Sequence, residues 1–293
     1  MLKSLRPYLI LMRPANIVTA IADILAGISV AGFLFKGSIA EILGLVLATI
    51  GLYGGGVVFN DVFDRELDKV ERPERPLPSG QVSLKQASLL GGSLLVLGIL
   101  AAGTVSWESA GLALLVAILA LTYDKYAKHY VVLGPINMGL CRSFNLLLGI
   151  SISLLALKSY WFLGFIPLVF IADITLTSQG EVKGKNISSL YIALALDLLV
   201  ASTFVVLYFY TDYELLAAAP FILFWLFLNL RAKLRAIQQN EPRMIMKAVK
   251  AGVLSLIPLN AAMAAGFEGF ISGLIVLALL PLSLGLARYF SVT

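Results

Sequence analysis

The chain has 293 residues, of which 59% are hydrophobic and only 13% charged, against roughly 45–50% and 25% in a soluble domain, which excludes an ordinary water-soluble fold. At roughly 20 apolar residues per bilayer span, about ten helices with short loops consume nearly the whole chain and leave no room for a separate soluble domain. The net charge of +5 does not call for nucleic acid, because basic excess in a membrane chain follows the positive-inside rule.

In chain order, the apolar stretches run approximately over 16–35, 39–59, 84–104, 109–123, 132–156, 160–177, 188–211, 214–230, 245–266 and 269–290. The first is as long as the others and lacks a small-residue cleavage pattern, so it reads as a permanent span and not as a secretory signal. None shows the period-two alternation of barrel strands. The predicted fold is therefore all-α, a polytopic integral membrane bundle of about ten (nine to ten) helices forming one domain over 1–293. Lys36 and Lys158 are the only basic residues assigned to one side, and Arg142 falls within a span. The rest gather on the other, which predicts both termini and the acidic loops on the cytoplasm-equivalent side of an inner, plasma or thylakoid-type membrane. Cys141 is alone, which excludes intrachain disulfides and multi-cysteine metal sites.

The second stretch runs directly into Asn60-Asp61-Val62-Phe63-Asp64-Arg65-Glu66-Leu67-Asp68. At about 100° per residue, Asp61, Asp64 and Asp68 share one helical face with Asn60 at its edge. Like charges at that spacing repel and raise one another's pKa values, which a hard divalent cation relieves. Magnesium suits the pattern, since it takes one or two carboxylates plus waters and substrate phosphate oxygens. Arg72-Pro73-Glu74-Arg75-Pro76-Leu77-Pro78-Ser79-Gly80 follows as a stiff loop with two arginines, whose guanidinium groups match phosphate geometry. The bland alternative is a solvated juxtamembrane charge run.

The string Asn60-Asp-x-x-Asp64-x-x-x-Asp68, followed by Arg-Pro-x-Arg-Pro-Leu-Pro-Ser-Gly, resembles the first aspartate-rich motif of the UbiA superfamily of intramembrane prenyltransferases. The resemblance implies a magnesium-dependent transfer of a prenyl group from an isoprenoid diphosphate donor to an aromatic or lipid acceptor within the membrane, with pyrophosphate released. It assigns Asn60, Asp61, Asp64 and Asp68 to metal binding, with Asp61 and Asp64 catalytic, and Arg72 and Arg75 to the diphosphate.

The second motif of that superfamily ends the sixth helix, usually with two aspartates four residues apart. Here the matching segment is Thr177-Ser178-Gln179-Gly180-Glu181, followed by Val182-Lys183-Gly184-Lys185-Asn186. Thr177 replaces the first acid and Glu181 the second, so one anionic ligand is missing. By resemblance Glu181 is a metal and catalytic residue, while Lys183 and Lys185 either engage diphosphate or act only as topology signals. The intact first motif together with Ser-Gln-Gly-Glu-Val-Lys-Gly resembles the EboC branch of UbiA-like proteins.

Further polar residues are cavity candidates. Asn16 follows Arg13-Pro14 at the entry to the first helix, and Asp23 lies two turns deeper. Tyr123 and Lys128 stand after the fourth helix, Lys128 as a diphosphate candidate. Arg142 and Asn145 point to nearly the same side of the fifth, and Asp173 and Thr177 lie on the sixth. An intramembrane arginine needs an anion or an ion partner, and Asp173 is a candidate partner for Arg142. His129 cannot build a histidine metal site alone. The altered second motif leaves open a non-catalytic carrier of isoprenoid diphosphate or lipid with the same fold, or a scaffold in a membrane assembly.

Overall fold

The computed structural model describes residues 2–179 and 187–290. Its helices are α1 (Leu2–Met12), α2 (Pro14–Val30), α3 (Ile39–Phe63), α4 (Arg65–Glu71), α5 (Leu84–Gly103), α6 (Trp107–Lys125), α7 (Leu133–Ile150), α8 (Leu154–Tyr160), α9 (Phe165–Ser178), α10 (Ile187–Tyr210), α11 (Leu215–Gln239), α12 (Pro242–Glu268), α13 (Phe270–Leu277) and α14 (Leu279–Ala287). Among the described residues, eight helices or joined helices are long and apolar enough to cross a membrane, and nine if the bent α1–α2 pair is one span. The predicted all-α membrane bundle is thus observed. Helix α7 is not among the nine; it carries Asn137, Arg142 and Asn145 and sits inside the bundle, against α2, α6 and α9.

The helices form a closed circuit. Helices α3, α5 and α6 pack on one another, α7 joins α6 to α9, and α10, α11 and α12 continue round until α12 meets α2. Helices α2 and α12 lie at the centre, with nearly every residue of α2 buried. Two apolar clusters follow from this path. One, over α2, α3, α5, α6 and α7, contains Ile24, Leu45, Leu52, Val116 and Leu148; the larger contains Phe170, Phe204, Trp225, Leu256 and Met263.

Helices α2 and α7 approach at Gly27 and Gly149. A Cβ on Gly27 would lie 2.4 Å from the Leu146 carbonyl oxygen, and one on Gly149 would lie 2.4 Å from that of Ile24. Hydrocarbon offers little hydrophobic drive between helices, so close backbone approach through small residues is how such pairs gain van der Waals contact. The crossing brings Asp23 of α2 against Arg142 and Asn145 of α7.

Candidate active site

All the residues of the first acidic motif gather at one end of the bundle. Helix α3 ends at Phe63, Asp64 is non-helical, and α4 begins at Arg65. The sequence expectation of one continuous helix is thus interrupted by a single residue, yet the i, i+4 pattern survives. The Asp64 amide donates to the Asn60 carbonyl at 2.9 Å and the Asp68 amide to the Asp64 carbonyl at 2.8 Å. Asp61, Asp64 and Asp68 therefore keep a common face.

Three cations neutralise that face. Arg75 Nη1 donates to Asp68 Oδ2 at 2.8 Å and to Asp61 Oδ1 at 3.2 Å. Arg13 Nη2 donates to the same Asp61 oxygen at 2.7 Å, and Lys128 Nζ to Asp64 Oδ1 at 2.5 Å. Asp61 and Asp68 are buried, and the other members are largely so. In a low-dielectric rim such charge-assisted bonds are stronger than in water, and losing one partner leaves a costly charge.

Local structure explains how each cation arrives. Arg13 stands at a 48° bend between α1 and α2, with φ at 48°. Pro14 opens α2 and has no amide hydrogen to lose, while it biases the preceding residue away from the right-handed helical region. Left-handed backbone is uncommon for a side-chain-bearing residue and is often associated with functional sites. Arg75 is held by the proline loop, in which the Ser79 amide donates to the Arg75 carbonyl at 3.0 Å and the Val82 amide to the Pro76 carbonyl at 3.1 Å. Gly80 takes φ 75° to turn the chain, and buried Leu77 and Val82 anchor the loop against Leu11, Val58 and Ala87. Lys128 comes from a short 3-10 turn, Ala127–His129, after α6.

Two participants went unnoticed in the sequence. Arg13 reads there as an interfacial residue, whereas it pairs with Asp61. Asp124, buried in the last turn of α6, accepts from Asn60 Nδ2 at 2.9 Å. That bond orients the Asn60 amide. Tyr123 precedes Asp124 and is half-buried; Arg72 is exposed and has no side-chain bond to the three aspartates. Glu181, Lys183 and Lys185 lie outside the described residues.

Most of the cavity candidates fall into two buried polar groups. Around Asp23, Oδ2 accepts from Arg142 Nη1 at 2.7 Å and from Asn145 Nδ2 at 3.0 Å, and Oδ1 accepts from Asn260 Nδ2 at 2.7 Å. Arg142 Nη2 also donates to Thr19 Oγ1, and its guanidinium lies 5.3 Å from the centre of the Tyr53 ring. Arg142 therefore pairs with Asp23, not with Asp173 as the sequence suggested, because the α2–α7 crossing brings Asp23 within reach. Asp173 belongs instead to a second group with Lys233 and Asp197. Thr177 is buried one turn further along and donates its hydroxyl to the Asp173 carbonyl at 3.1 Å. Asn16 is buried in the first turn of α2.

The donor set of the acidic face suits a hard cation. Among the described residues, the side-chain bonds to each aspartate use one oxygen only: Oδ1 of Asp61, Oδ1 of Asp64 and Oδ2 of Asp68. No three acidic, histidine or cysteine side chains among them already converge as a metal cage. Magnesium commonly uses one or two carboxylates and completes its shell with water and phosphate oxygens.

Comparison with known proteins follows the same lines. Residues 21–249 match the model of the UbiA prenyltransferase family. Digeranylgeranylglyceryl phosphate synthase of Methanothrix thermoacetophila is 37% identical over 139 residues, covering 47% of this chain and 52% of that protein. The Ignicoccus hospitalis enzyme of the same name is 31% identical over 181 residues, covering 61% of this chain and 58% of that protein. The matched part of the chain thus spans just over half the length of these relatives. A solved structure of a digeranylgeranylglyceryl phosphate synthase superposes with a TM-score of 0.70 at 21% identity, over 91% of this chain and 99% of that one. A UbiA homologue from Archaeoglobus fulgidus bound to GPP and Mg2+ superposes with a TM-score of 0.67 at 15% identity, over 93% and 99%. The resemblance to the EboC branch is overturned, because the curated relatives fall among the archaeal digeranylgeranylglyceryl phosphate synthases. A seven-residue loop string is too short to outweigh similarity that extends over 139–182 residues.

Proposed function

This chain belongs to the UbiA prenyltransferase family, and on that premise we propose that it transfers a prenyl group from an isoprenoid diphosphate to a lipid acceptor within the membrane, releasing pyrophosphate. The observation that carries the reading is the neutralised acidic face, in which Asp61, Asp64 and Asp68 are paired with Arg13, Arg75 and Lys128. Asn60, Asp61, Asp64 and Asp68 would hold magnesium, which when bound neutralises the departing diphosphate. Arg13, Arg75 and Lys128 already sit among the carboxylates. Arrival of the diphosphate would let each cation exchange a carboxylate oxygen for a phosphate oxygen, and exposed Arg72 would add positive charge beside them.

In the transfer, the bond between C1 of the allylic chain and the diphosphate oxygen breaks, and its electron pair leaves with the diphosphate. A bond forms between C1 and the acceptor, which gives up a proton. The names of the curated relatives make a glyceryl phosphate lipid the first acceptor to test and geranylgeranyl diphosphate the first donor. The preference for one basic side supports a site facing the cytoplasm-equivalent side of an inner, plasma or thylakoid-type membrane. The test is pyrophosphate release by the full chain in nanodiscs with magnesium, this donor and a membrane-lipid extract, against Asp61→Ala. Release that needs magnesium and Asp61 supports the reading. Donor binding without release favours the carrier function that the loss of an acid at Thr177 left open.

A further inference from the structure

A cleft of about 760 Å³ opens between the segment joining α8 to α9 and the last turn of α10. It lies at the end of the bundle away from the acidic face. Arg13, just before α2, meets that face, whereas the Leu34 amide, past the other end of α2, donates to Glu268 at 3.2 Å. Phe267, next to Glu268, packs on Tyr160 of the cleft. Tyr160 and Phe162 line the cleft from the α8–α9 segment and Phe209 and Tyr210 from α10, and its polar groups include Ser159 and Asp212.

The cleft is preformed. The Tyr160 ring stands edge-on to Phe267 with centres 5.1 Å apart, and the Phe162 ring lies 6.4 Å from it. The turn carrying Asp212 is anchored on both sides, where the Thr211 amide donates to the Leu207 carbonyl at 2.9 Å and the Glu214 amide to the Gly266 carbonyl at 2.7 Å. Buried Tyr213 follows Asp212 and donates its hydroxyl to the Ala262 carbonyl at 3.0 Å. Its ring covers Gly266, which has no room for a side chain beneath it. Asp212 itself is exposed, and among the described residues neither its carboxylate nor the Ser159 hydroxyl has a hydrogen-bond or ion-pair partner. Lys158, one residue before Ser159, is also exposed and without an ion pair among them.

Aromatic residues gather at both membrane interfaces as anchors, which accounts for Tyr210 at 83% exposure but not for a recess in which four rings accompany an unpaired carboxylate. Ring faces attract cations, and cages of aromatic side chains are how proteins recognise alkylammonium groups. A fixed cage also spares the cost of ordering it on binding. Val206, exposed on the outer face of α10, continues the cleft on to the lipid-facing surface, so the occupant has an apolar chain as well as a charged head. Asp212 and Lys158 present opposite charges, as an ammonium and a phosphate do. We propose that this cleft binds the headgroup of a zwitterionic membrane phospholipid, with the ammonium among Asp212 and the four rings and the phosphate towards Ser159 and Lys158. The site lies at the opposite end of the bundle from the prenyl-transfer chemistry and does not depend on it.

The test titrates the delipidated full chain, in a non-ionic detergent, with palmitoyl-oleoyl phosphatidylethanolamine or with phosphatidylglycerol of the same chains, and counts bound lipid by native mass spectrometry. Asp212→Asn and Phe209→Ala change exposed side chains and are expected to keep the wild-type melting temperature. Asp212→Asn should weaken phosphatidylethanolamine binding about tenfold and Phe209→Ala about threefold, with phosphatidylglycerol binding unchanged in both. Wild-type phosphatidylethanolamine affinity in Asp212→Asn, or an equal loss for both lipids, overturns the proposal. Displacement of the lipid by an equal concentration of soluble phosphoethanolamine would make the cleft a site for a soluble amine and overturns the lipid assignment. Asp61→Ala, at the other end of the bundle, should bind phosphatidylethanolamine as the wild type does; a loss there would place the lipid at the acidic face instead.

Discussion

Arg13 donates to Asp61 Oδ1 across 2.7 Å, joining the bend between α1 and α2 to the end of α3. The contact depends on Arg13 adopting φ 48°, a conformation that carries its side chain towards α3 while Pro14 starts α2 in register. Asp61 receives a second guanidinium from Arg75 through the same oxygen. Arg13 is therefore expected to serve both the acid and the incoming diphosphate. Replacing Arg13 by Ala should lower kcat/KM for pyrophosphate release by about 10²-fold, within the range for losing one preorganised charge donor. Asp61→Ala should cost at least as much. Steady-state release assays on both variants check this, and wild-type kcat/KM for Arg13→Ala would remove Arg13 from the site.

Asp124 acts one step further out. Its side chain accepts from Asn60 Nδ2, which fixes the orientation of the Asn60 side-chain amide. Partners that orient a metal ligand typically contribute 10–100-fold to metal affinity. Asp124→Ala should therefore raise the magnesium concentration needed for half-maximal release by about tenfold, with less effect at saturating magnesium. Asp124→Asn keeps an oxygen that can accept the same bond and should fall between the two. A magnesium titration of the three proteins measures the order directly.

What was legible in the sequence divides by physical cause. Long apolar blocks and a skewed distribution of basic residues follow from the membrane itself, so the all-helical bundle was legible, although the expected ten spans become eight or nine among the described residues, with α7 outside them. The acidic face was legible too, because Asp61, Asp64 and Asp68 are local neighbours along one helix direction. Arg13 and Asp124 were not, since each joins the site through a contact that only the packing of α2, α3 and α6 creates. Lys233 left a trace that could have been followed. Trp225, Asn229, Lys233 and Ala236 continue the inward face of α11 at steps of three and four, so the helix extends past the apolar stretch ending at 230. The branch assignment failed for a different reason, as it relied on the first motif combined with a short loop string instead of similarity along the chain.

The Asp23 group offers a test of electrostatics inside the bundle. Asp23 is fully buried and receives Arg142, Asn145 and Asn260 from two other helices. Arg142→Met leaves the carboxylate without its cation and should destabilise the protein by about 3–5 kcal/mol. The double variant Asp23→Asn/Arg142→Met removes both charges and should recover most of that loss. Thermal unfolding in a single detergent compares the three. A double variant as unstable as Arg142→Met would show that the loss came from packing around Arg142 and its contact with Tyr53, not from the stranded charge.

The approach of α2 to α7 decides whether that group can form at all. Gly27 and Gly149 leave no room for a methyl group, each Cβ falling 2.4 Å from a backbone oxygen of the other helix, and neither oxygen can swing away as a flexible side chain would. Gly27→Ala or Gly149→Ala must push the helices apart, at a cost of about 1–3 kcal/mol for overpacking. Separation would also lengthen the Asp23–Arg142 and Asp23–Asn145 bonds, so the loss should exceed that of a simple packing defect and should shrink when Arg142 and Asp23 are already neutral. Gly111, on the exposed side of α6 with nothing within 4 Å of where a methyl group would stand, supplies the control. Gly111→Ala should leave the melting temperature unchanged or slightly raised, because alanine loses less backbone entropy in a helix. Equal melting temperatures for Gly27→Ala and Gly111→Ala would mean that α2 and α7 do not meet through their backbones.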